Sequence, residues 1–346
     1  MNTSRIDPKP GTSADPESLK EGTLGGYLKK LAGEPGNPAR PALVVQGGGM
    51  RGIYSLSALA VFEELGLRDA FSRVIGSSAG AINGAYFLAG QARESISIYT
   101  EDLSNERFVD PWRLRKIVDV DYMIDVLREK HHLDEATMRE APATLYTVLT
   151  DAETGKARVV SNRDPALDIY EVFRATAALP GLYRKKIAVD RGPGASRYVD
   201  GGVSDLLPLE RALDPYLSEG REGEEGRPTE AIVLLTRGRG HQKTERNHLI
   251  RWIVHVLWWG QSRPVREKVC RGDGRYNRVM KMLEREEEQR HRETWTLCPS
   301  DLGRLVHRTT TDRELLVACS KLAREDTMAL LGQERAALKS LPLVLT

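Results

Sequence analysis

The chain has 346 residues, of which 40% are hydrophobic and 29% charged, a composition typical of a soluble globular protein. Its 51 Lys and Arg nearly balance its 49 Asp and Glu, which leaves a formal net charge of +2. This balance argues against a nucleic-acid partner, because proteins that coat nucleic acid concentrate an excess of basic residues on one face.

The N-terminal third of the chain alternates predicted strands and helices. Residues 1–40 are rich in proline, glycine, serine and charge, and we predict a flexible arm because they bury too little apolar surface to offset their ordering entropy. A short β-forming run, Ala42–Gln46, ends in glycines and precedes helical spacing over Ile53–Leu65. Arg73–Ile75 and Ala81–Ala89 predict a second strand and a second helix. Continuous apolar strands in this order favour a parallel sheet covered on both faces.

The remainder of the chain predicts further elements of both kinds. They are a hairpin of Leu145–Thr150 with Ala157–Val160, a helix over Ile169–Ala178, short strands at Lys186–Val189 and Tyr198–Val199, a central strand at Ala231–Thr236, and helices over His248–Trp259, Val265–Glu293 and Asp312–Leu331. We therefore predict an α/β fold with a central, mainly parallel sheet flanked by helices. Residues 41–240 would form a catalytic domain, and residues 241–346 a mainly helical C-terminal extension packed on it.

Gly76, Ser78 and Gly80 form a Gly-x-Ser-x-Gly pattern between a predicted strand and a predicted helix. In a nucleophile elbow, small residues around the serine permit a tight turn that exposes its hydroxyl at the helix N-terminus. Because so short a pattern also occurs by chance, an ordinary turn between a strand and a helix is the alternative.

A second glycine-rich turn, GGGMRG at residues 47–52, also lies at a junction of strand and helix. Parallel strands that end at one edge of a sheet would place this turn beside Ser78, where glycine amides can stabilise an oxyanion. A nucleotide-phosphate loop or a plain tight turn is the alternative. The turn has neither the GxGxxG spacing nor the GK[ST] ending of the common phosphate loops.

A serine nucleophile needs a base, and Asp200 is the candidate. It follows the short predicted strand Tyr198–Val199 and precedes Gly201 and Gly202, which leave its carboxylate room. Taken alone, this tripeptide is equally typical of a glycine-bearing turn after a strand.

The three motifs together resemble the patatin-like phospholipase family, in which a GGGxRG oxyanion loop, a GxSxG nucleophile and a DGG aspartate follow one another in that order. The resemblance covers about Ala42–Gly238. It implies a Ser-Asp dyad in place of a triad, with Ser78 as nucleophile and Asp200 as base. One departure is that Leu207 precedes Pro208, where plant patatins often have asparagine, and this leaves the substrate preference open.

The same resemblance assigns the other motif residues by position. The oxyanion hole would comprise Gly48, Gly49, Met50 and Arg51, with the amides of the two glycines as the main donors and Arg51 as a positive charge beside them. The supporting glycines would be Gly47, Gly52, Gly76, Gly80, Gly201 and Gly202. The implied activity is hydrolysis of lipid acyl esters, of the phospholipase A or lysophospholipase type.

Two other classes of function fit the residues as well. One is a Ser-His-Asp esterase or peptidase, although none of the seven histidines lies in a recognisable catalytic setting. The other is a non-enzymatic module that binds nucleotides or another partner through GGGMRG. No group of His, Cys, Asp and Glu has the spacing of metal ligands, so we expect no metal and no organic cofactor.

The cysteine content and the hydropathy of the chain indicate the cellular compartment of the protein. The three cysteines fit neither a disulfide framework nor a zinc pattern, residues 1–30 lack the apolar core of a signal peptide, and no stretch approaches the roughly 18 apolar residues of a membrane span. We therefore expect a cytoplasmic protein. The segment that carries Trp252, Trp258 and Trp259 is apolar on most of its faces, which indicates either burial against the sheet or peripheral contact with a membrane.

Overall fold

The computed structural model describes residues 14–15, 17, 19–113, 116–190, 192, 194–214, 217, 228–238, 240–242, 258, 260–270, 274–288 and 294–334. Within these ranges one sheet is formed by β1 (Ala42–Val45), β2 (Arg73–Ser77), β3 (Thr144–Asp151), β4 (Ala157–Ser161), β5 (Ile187–Ala188), β6 (Arg197–Asp200), β7 (Ala231–Leu234) and β8 (Thr294–Leu297). The strand order is β5-β6-β3-β2-β1-β7-β8, and β4 pairs with β3 outside this path. Neighbours among β1, β2, β3, β7 and β8 are parallel, whereas β4, β5 and β6 pair antiparallel.

Helices cover both faces of this sheet. The α-helices in the described part of the chain are α1 (Leu24–Ala32), α2 (Gly52–Glu64), α3 (Ala79–Leu88), α4 (Val120–Glu129), α5 (Glu135–Glu140), α6 (Ile169–Ala177), α7 (Leu209–Ala212), α8 (Arg263–Cys270), α9 (Gly274–Glu288) and α10 (Arg313–Leu331). In β1, Leu43 and Val45 belong to the apolar core that contains α2 and α3, while Ala42 and Val44 belong to a second core with α7 and α9. Because alternate residues of a strand face opposite sides, β1 is buried throughout. The predicted α/β fold, with a mainly parallel sheet and C-terminal helices, is confirmed.

The prediction of a flexible arm over residues 1–40 is wrong for Leu24–Ala32, which form α1. Its apolar residues recur at helical spacing, and Leu24, Leu28 and Leu31 are buried in the main core. The Thr23 side chain caps the helix by accepting a hydrogen bond from the Gly26 N–H. The high proline and glycine content around this segment obscured a short amphipathic helix.

The C-terminal extension contributes to the sheet as well as to the helical layer. β8 pairs in parallel with β7, so the central sheet extends beyond residue 240, the predicted boundary of the catalytic domain. Within the segment Val265–Glu293, for which helical structure is predicted, the structure describes α8 up to Cys270 and α9 over Gly274–Glu288. The strand escaped prediction because four residues carry too little periodicity to identify it.

Helix α10 fixes the extension to α2. Its N-terminus is capped by Asp312, whose side chain accepts from the N–H groups of Glu314 and Leu315. Along its length, Arg324 pairs with the buried carboxylate of Glu64 at 2.8 Å. Burial would raise the pKa of Glu64, but the hydrogen bonds from Arg324 and from the Ala14 N–H outweigh that effect and lower it. The extension is therefore packed against the helix that follows the glycine-rich turn.

Candidate active site

Ser78 lies at the junction of β2 and α3 with φ 53° and ψ −134°. Among the residues that the structure describes, it is the one non-glycine residue with positive φ. Such a conformation costs on the order of 1–3 kcal/mol and persists only where the surrounding structure enforces it, commonly at functional sites. The side chain is partly exposed, at the carboxyl edge of the sheet. An ordinary turn between a strand and a helix does not require a non-glycine residue with positive φ.

Thr176, which lies outside the three glycine-containing motifs, holds the strained turn. The Ser78 N–H donates to the Thr176 hydroxyl at 2.8 Å, and that hydroxyl donates to the Val148 carbonyl at 2.8 Å. Thr176 lies on α6 and is fully buried. It therefore ties the elbow to β3 through a pair of buried hydrogen bonds.

Thr176→Val is expected to loosen the elbow while preserving side-chain shape. The change leaves the Ser78 N–H and the Val148 carbonyl without their partner, and each buried group left unsatisfied costs about 1–3 kcal/mol. If the turn positions a nucleophile, kcat should fall about 10- to 100-fold, because small misplacements of reacting groups are expensive. Melting temperature and ester hydrolysis measure the two effects. Thr176→Ser, which keeps the hydroxyl, is expected to restore kcat, and a Val variant with wild-type kcat would contradict the role.

The pairing register of β3 brings Ser78 and Asp200 to one place. β4 pairs along one edge of β3, so β2 and β6 share the opposite edge. There, Val148 is the partner of Ser77, and the next residue, Leu149, is the partner of Asp200. The strand that carries the serine and the strand that carries the aspartate therefore end side by side.

The carboxylate of Asp200 is held by its own turn. Asp200 is 4% exposed, and its Oδ1 accepts from the Gly202 N–H at 2.6 Å. Its backbone N–H donates to the Ala178 carbonyl, and its carbonyl accepts from the Thr150 hydroxyl at 2.8 Å. These bonds fix both the backbone and the side chain of the residue that sequence analysis assigns as the base.

The glycine-rich turn lies directly against the elbow. Gly47 is so close to it that a Cβ there would meet the Ser77 carbonyl oxygen and would lie 3.0 Å from the Ser78 Cβ. Gly49 has φ +59°, and a Cβ there would lie 2.6 Å from the Arg308 carbonyl oxygen. Side chains at these two positions would displace the turn from Ser78 or from the extension.

The N–H groups of the four residues assigned to the oxyanion hole, Gly48, Gly49, Met50 and Arg51, divide into two pairs. The Met50 N–H donates to the Arg308 carbonyl at 3.0 Å, and the Arg51 N–H donates to the Gly48 carbonyl at 3.3 Å. Within the described part of the chain, the N–H groups of Gly48 and Gly49 have no acceptor. Of the four residues that the resemblance assigns to an oxyanion hole, the two glycines are the ones with amides available to a substrate.

The other motif glycines lie near the ends of the same three strands, β1, β2 and β6. Gly52 opens α2, Gly76 lies in β2, Gly80 lies in the first turn of α3, and Gly201 and Gly202 form the short turn after β6. All three motifs are thus gathered at the carboxyl edge of β1 and β2 and at the neighbouring end of β6.

Two arginines that the sequence motifs do not include, Arg237 and Arg308, act on Arg51 of the glycine-rich turn. The Arg51 side chain folds back over Gly48 and is buried, with 6% of its surface exposed. Burial, and then the charges of Arg237 and Arg308, lower the pKa of Arg51 to about 9. Arg237 follows the predicted central strand β7, and its place at the strand end was a usable signal. Arg308, in the loop before α10, offered none.

Of the seven histidines, two have side-chain partners, three lie outside the described residues, and the side chains of His132 and His307 make no hydrogen bond or ion pair with the described residues. His131 contacts Asp102 at 2.7 Å, and His241 contacts Arg237. His248, His255 and His291 lie outside the described residues, and so do Trp252 and Trp259. Trp258 is described, and its indole ring packs on the backbone of Gly181. Whether the tryptophan segment also meets a membrane stays a prediction.

Within the described ranges of the chain, no group of three or more His, Cys, Asp and Glu residues could hold a metal ion. No helix in those ranges combines the length and the apolar composition needed to cross a bilayer.

Comparisons with known proteins identify the domain that carries the site. The sequence model of the family described as "Patatin-like phospholipase" matches residues 43–213. Among curated proteins, the chain is 30% identical over 204 residues to the uncharacterized protein YjjU of Escherichia coli (strain K12), a match that covers 54% of this chain and 52% of that one. It is 27% identical over 193 residues to the uncharacterized protein YqhO of Bacillus subtilis (strain 168), with coverage of 48% and 64%. The chain thus spans about half to two thirds of the length of these relatives.

Among solved structures, VipD from Legionella pneumophila matches with a TM-score of 0.44 at 15% identity, over 86% of this chain and 68% of that chain. The family match extends from β1 through α7, and so contains the glycine-rich turn, the elbow and the aspartate turn. Residues 43–213 of this chain therefore belong to the patatin-like phospholipase family.

Proposed function

We propose that the protein is a serine acyl hydrolase that cleaves lipid acyl esters, of the phospholipase A or lysophospholipase type. Ser78 is the nucleophile, Asp200 the base, and the amides of Gly48 and Gly49 form the oxyanion hole. The observation that carries the proposal is the placement of the strained Ser78 beside Asp200 on one edge of β3, with the glycine-rich turn against it. Residues 41–240 form the catalytic domain of a cytoplasmic enzyme that meets lipid surfaces peripherally.

Acylation begins when the Ser78 Oγ attacks the ester carbonyl carbon and its proton passes to the Asp200 carboxylate. The carbonyl oxygen becomes an oxyanion that accepts hydrogen bonds from the Gly48 and Gly49 N–H groups. When the tetrahedral intermediate collapses, the bond to the alcohol oxygen breaks and Asp200 returns the proton to that leaving group. The products of this half reaction are the free alcohol and an acyl ester on Ser78.

Deacylation repeats these steps with water as the nucleophile. Asp200 takes a proton from the water, whose oxygen attacks the acyl carbon through a second oxyanion. Collapse breaks the bond to the Ser78 Oγ, which recovers its proton from Asp200, and the fatty acid leaves.

A hydrolysis panel tests this function. The purified protein is given a phospholipid, a lysophospholipid, a triglyceride and a soluble short-chain ester, and fatty acid release is measured for each. We expect release from the phospholipid or the lysophospholipid, together with covalent labelling of the protein by a fluorophosphonate. If the protein neither reacts with the fluorophosphonate nor hydrolyses any of the four esters, the result would favour the alternative of a non-enzymatic module that binds a partner through GGGMRG.

Gly49→Ala is expected to lower turnover by disturbing the oxyanion amides. The new Cβ would press on the Arg308 carbonyl and strain a residue at φ +59°. Loss of one oxyanion donor typically costs about 2.7–4 kcal/mol, which appears in kcat. The matched control is Gly22→Ala, which imposes similar strain at φ +82° with no neighbour within 4 Å. If Gly49→Ala raises only KM, the turn is a wall of the binding site and not the oxyanion hole.

A further inference from the structure

A buried polar network joins the helix that follows the glycine-rich turn to the helix that follows Ser78. At its centre is Asn83 on α3, which is 1% exposed. The Asn83 Nδ2 donates to the Gly52 carbonyl at 2.8 Å and to the Ser55 Oγ at 3.0 Å, and both of these partners lie in the first turn of α2. The Tyr99 hydroxyl donates to the Asn83 Oδ1 at 2.9 Å. The sequence motifs include Gly52 but neither the asparagine nor the tyrosine.

The donors and acceptors of this network fit together in one arrangement. The Gly52 carbonyl can only accept, so the amide nitrogen of Asn83 faces it and the Asn83 Oδ1 faces Tyr99. Burial raises the pKa of Tyr99, so its hydroxyl keeps the proton that it donates. The Ser55 hydroxyl donates in turn to the Gly52 carbonyl at 3.0 Å. Because each of these buried side chains has a partner, the network holds one geometry.

Gly52 is the point at which α2, α3 and the Tyr99 side chain meet. A Cβ at Gly52 would lie 2.4 Å from the Tyr99 hydroxyl oxygen and 2.9 Å from the Cβ of Ala79, the residue after Ser78. Tyr99 belongs to the π-helical turn Ile98–Asp102, and such turns are frequent at functional sites. The motif glycine therefore leaves room for a tyrosine that the motifs do not include.

Peptide units connect this contact to the proposed oxyanion hole. The Gly52 N–H donates to the Met50 carbonyl, in the peptide unit whose N–H belongs to Arg51. The Arg51 N–H donates to the Gly48 carbonyl at 3.3 Å, in the peptide unit whose N–H belongs to Gly49. Because each peptide unit is planar, a change in the position of Gly52 would reorient the Gly49 N–H.

Building on the proposed hydrolase, we propose that Asn83 and Tyr99 are positioning residues that fix the oxyanion amides relative to the nucleophile. Asn83 lies on the helix that begins directly after Ser78, and its amide holds the residue that ends the glycine-rich turn. It therefore sets the separation between the atom that attacks the ester and the N–H groups that stabilise the oxyanion. Tyr99 acts through Asn83, because its hydroxyl holds the amide in the orientation that donates to Gly52.

Tyr99→Phe tests this role, because it removes one hydroxyl and leaves the ring in place. We expect kcat for a monomeric soluble ester to fall about 10-fold while KM changes less than about two-fold, because small misplacements of reacting groups lower the rate more than they weaken binding. The acidic limb of the pH profile of kcat/KM should stay in place, since the proposed base is not a member of the network.

The matched control is Tyr86→Phe. It also removes a buried tyrosine hydroxyl, whose 2.6 Å hydrogen bond goes from α3 to the His131 carbonyl and not to the Asn83 network. Both variants should lower the melting temperature by similar amounts, but only Tyr99→Phe should lose kcat. A Tyr99→Phe protein with at least half of the wild-type kcat would overturn the proposal, and so would equal losses of kcat in the two variants.

The double variant Asn83→Ala with Tyr99→Phe shows whether the tyrosine acts through the asparagine. If it does, the double variant should have the kcat of Asn83→Ala alone, because the contact that the tyrosine supports is already lost. Losses that multiply would overturn the role of Tyr99. If Asn83→Ala does not fold, the comparison of the two tyrosine variants decides. A wild type that hydrolyses no ester would refute the proposed hydrolase and this role with it, whereas an active wild type with an unaffected Tyr99→Phe variant refutes this role alone.

Discussion

Ser78→Ala is expected to abolish hydrolysis of every ester that the wild type cleaves. The substitution removes the oxygen that would form the acyl-enzyme, and loss of such a nucleophile lowers kcat about a million-fold in a comparable enzyme. Fluorophosphonate labelling should disappear with it, because the other hydroxyls at the elbow, those of Ser77 and Thr176, are fully buried. The fold should persist, since the hydrogen bond to Thr176 comes from the backbone N–H of residue 78 and not from its side chain.

The strain at this residue supplies a second, independent readout. At φ 53° both serine and alanine are unfavourable, whereas glycine adopts the conformation freely. Ser78→Gly should therefore be as inactive as Ser78→Ala but more stable, by on the order of 1 kcal/mol. Melting temperatures of the two variants measure this difference. A more stable but inactive Ser78→Gly protein would show that the wild type keeps an unfavourable backbone conformation at residue 78 because activity requires the serine hydroxyl there.

Ser77→Ala is the matched control for both variants. It removes a buried hydroxyl one residue away, whose hydrogen bond to the Leu206 carbonyl is long at 3.5 Å. We expect this variant to keep at least about a tenth of wild-type activity, because side-chain deletions outside the reacting groups typically have modest effects. A folded Ser78→Ala protein that still hydrolyses esters and still labels would refute the assignment of the nucleophile.

The parts of the site that could be predicted from the sequence are those encoded locally. A tight turn between a strand and a helix demands small residues at fixed spacing, so Gly76 and Gly80 mark Ser78 without knowledge of the rest of the chain. Continuous apolar runs such as Ala42–Val45 indicate strands buried on both faces. These signals suffice for the fold class and for the candidate residues of each motif.

The contacts that assemble the motifs escaped prediction because they join distant residues. Nothing near Thr176 indicates that its hydroxyl accepts from the Ser78 N–H, 98 residues away in the chain. The bond from Met50 to the Arg308 carbonyl likewise depends on how the extension docks, and a backbone carbonyl carries no mark in the sequence. The contact of Arg308 with Gly49 is of the same kind, since the two residues lie far apart along the chain.

Asp200→Asn is the substitution that distinguishes a dyad from a triad. Asparagine has the size of aspartate, and its carbonyl oxygen can still accept from the Gly202 N–H, so the turn after β6 should be preserved. It cannot take the proton of the Ser78 hydroxyl. Loss of a general base costs about 10²- to 10⁴-fold in rate, and we expect kcat to fall within this range while the melting temperature changes little.

Replacing each histidine by asparagine gives the comparison that decides between the two mechanisms. His131 already contacts Asp102, and His241 contacts Arg237. Replacing either histidine should therefore alter local packing but preserve most of kcat. If Asp200 is the base, its variant alone should also lose the acidic limb of the pH profile of kcat/KM, which reports protonation of the essential base in the free enzyme. If instead one histidine variant loses as much rate as Asp200→Asn and shifts the same limb, that histidine takes the proton and Asp200 only orients it. The serine would then act within a triad assembled from a residue outside the family's motifs.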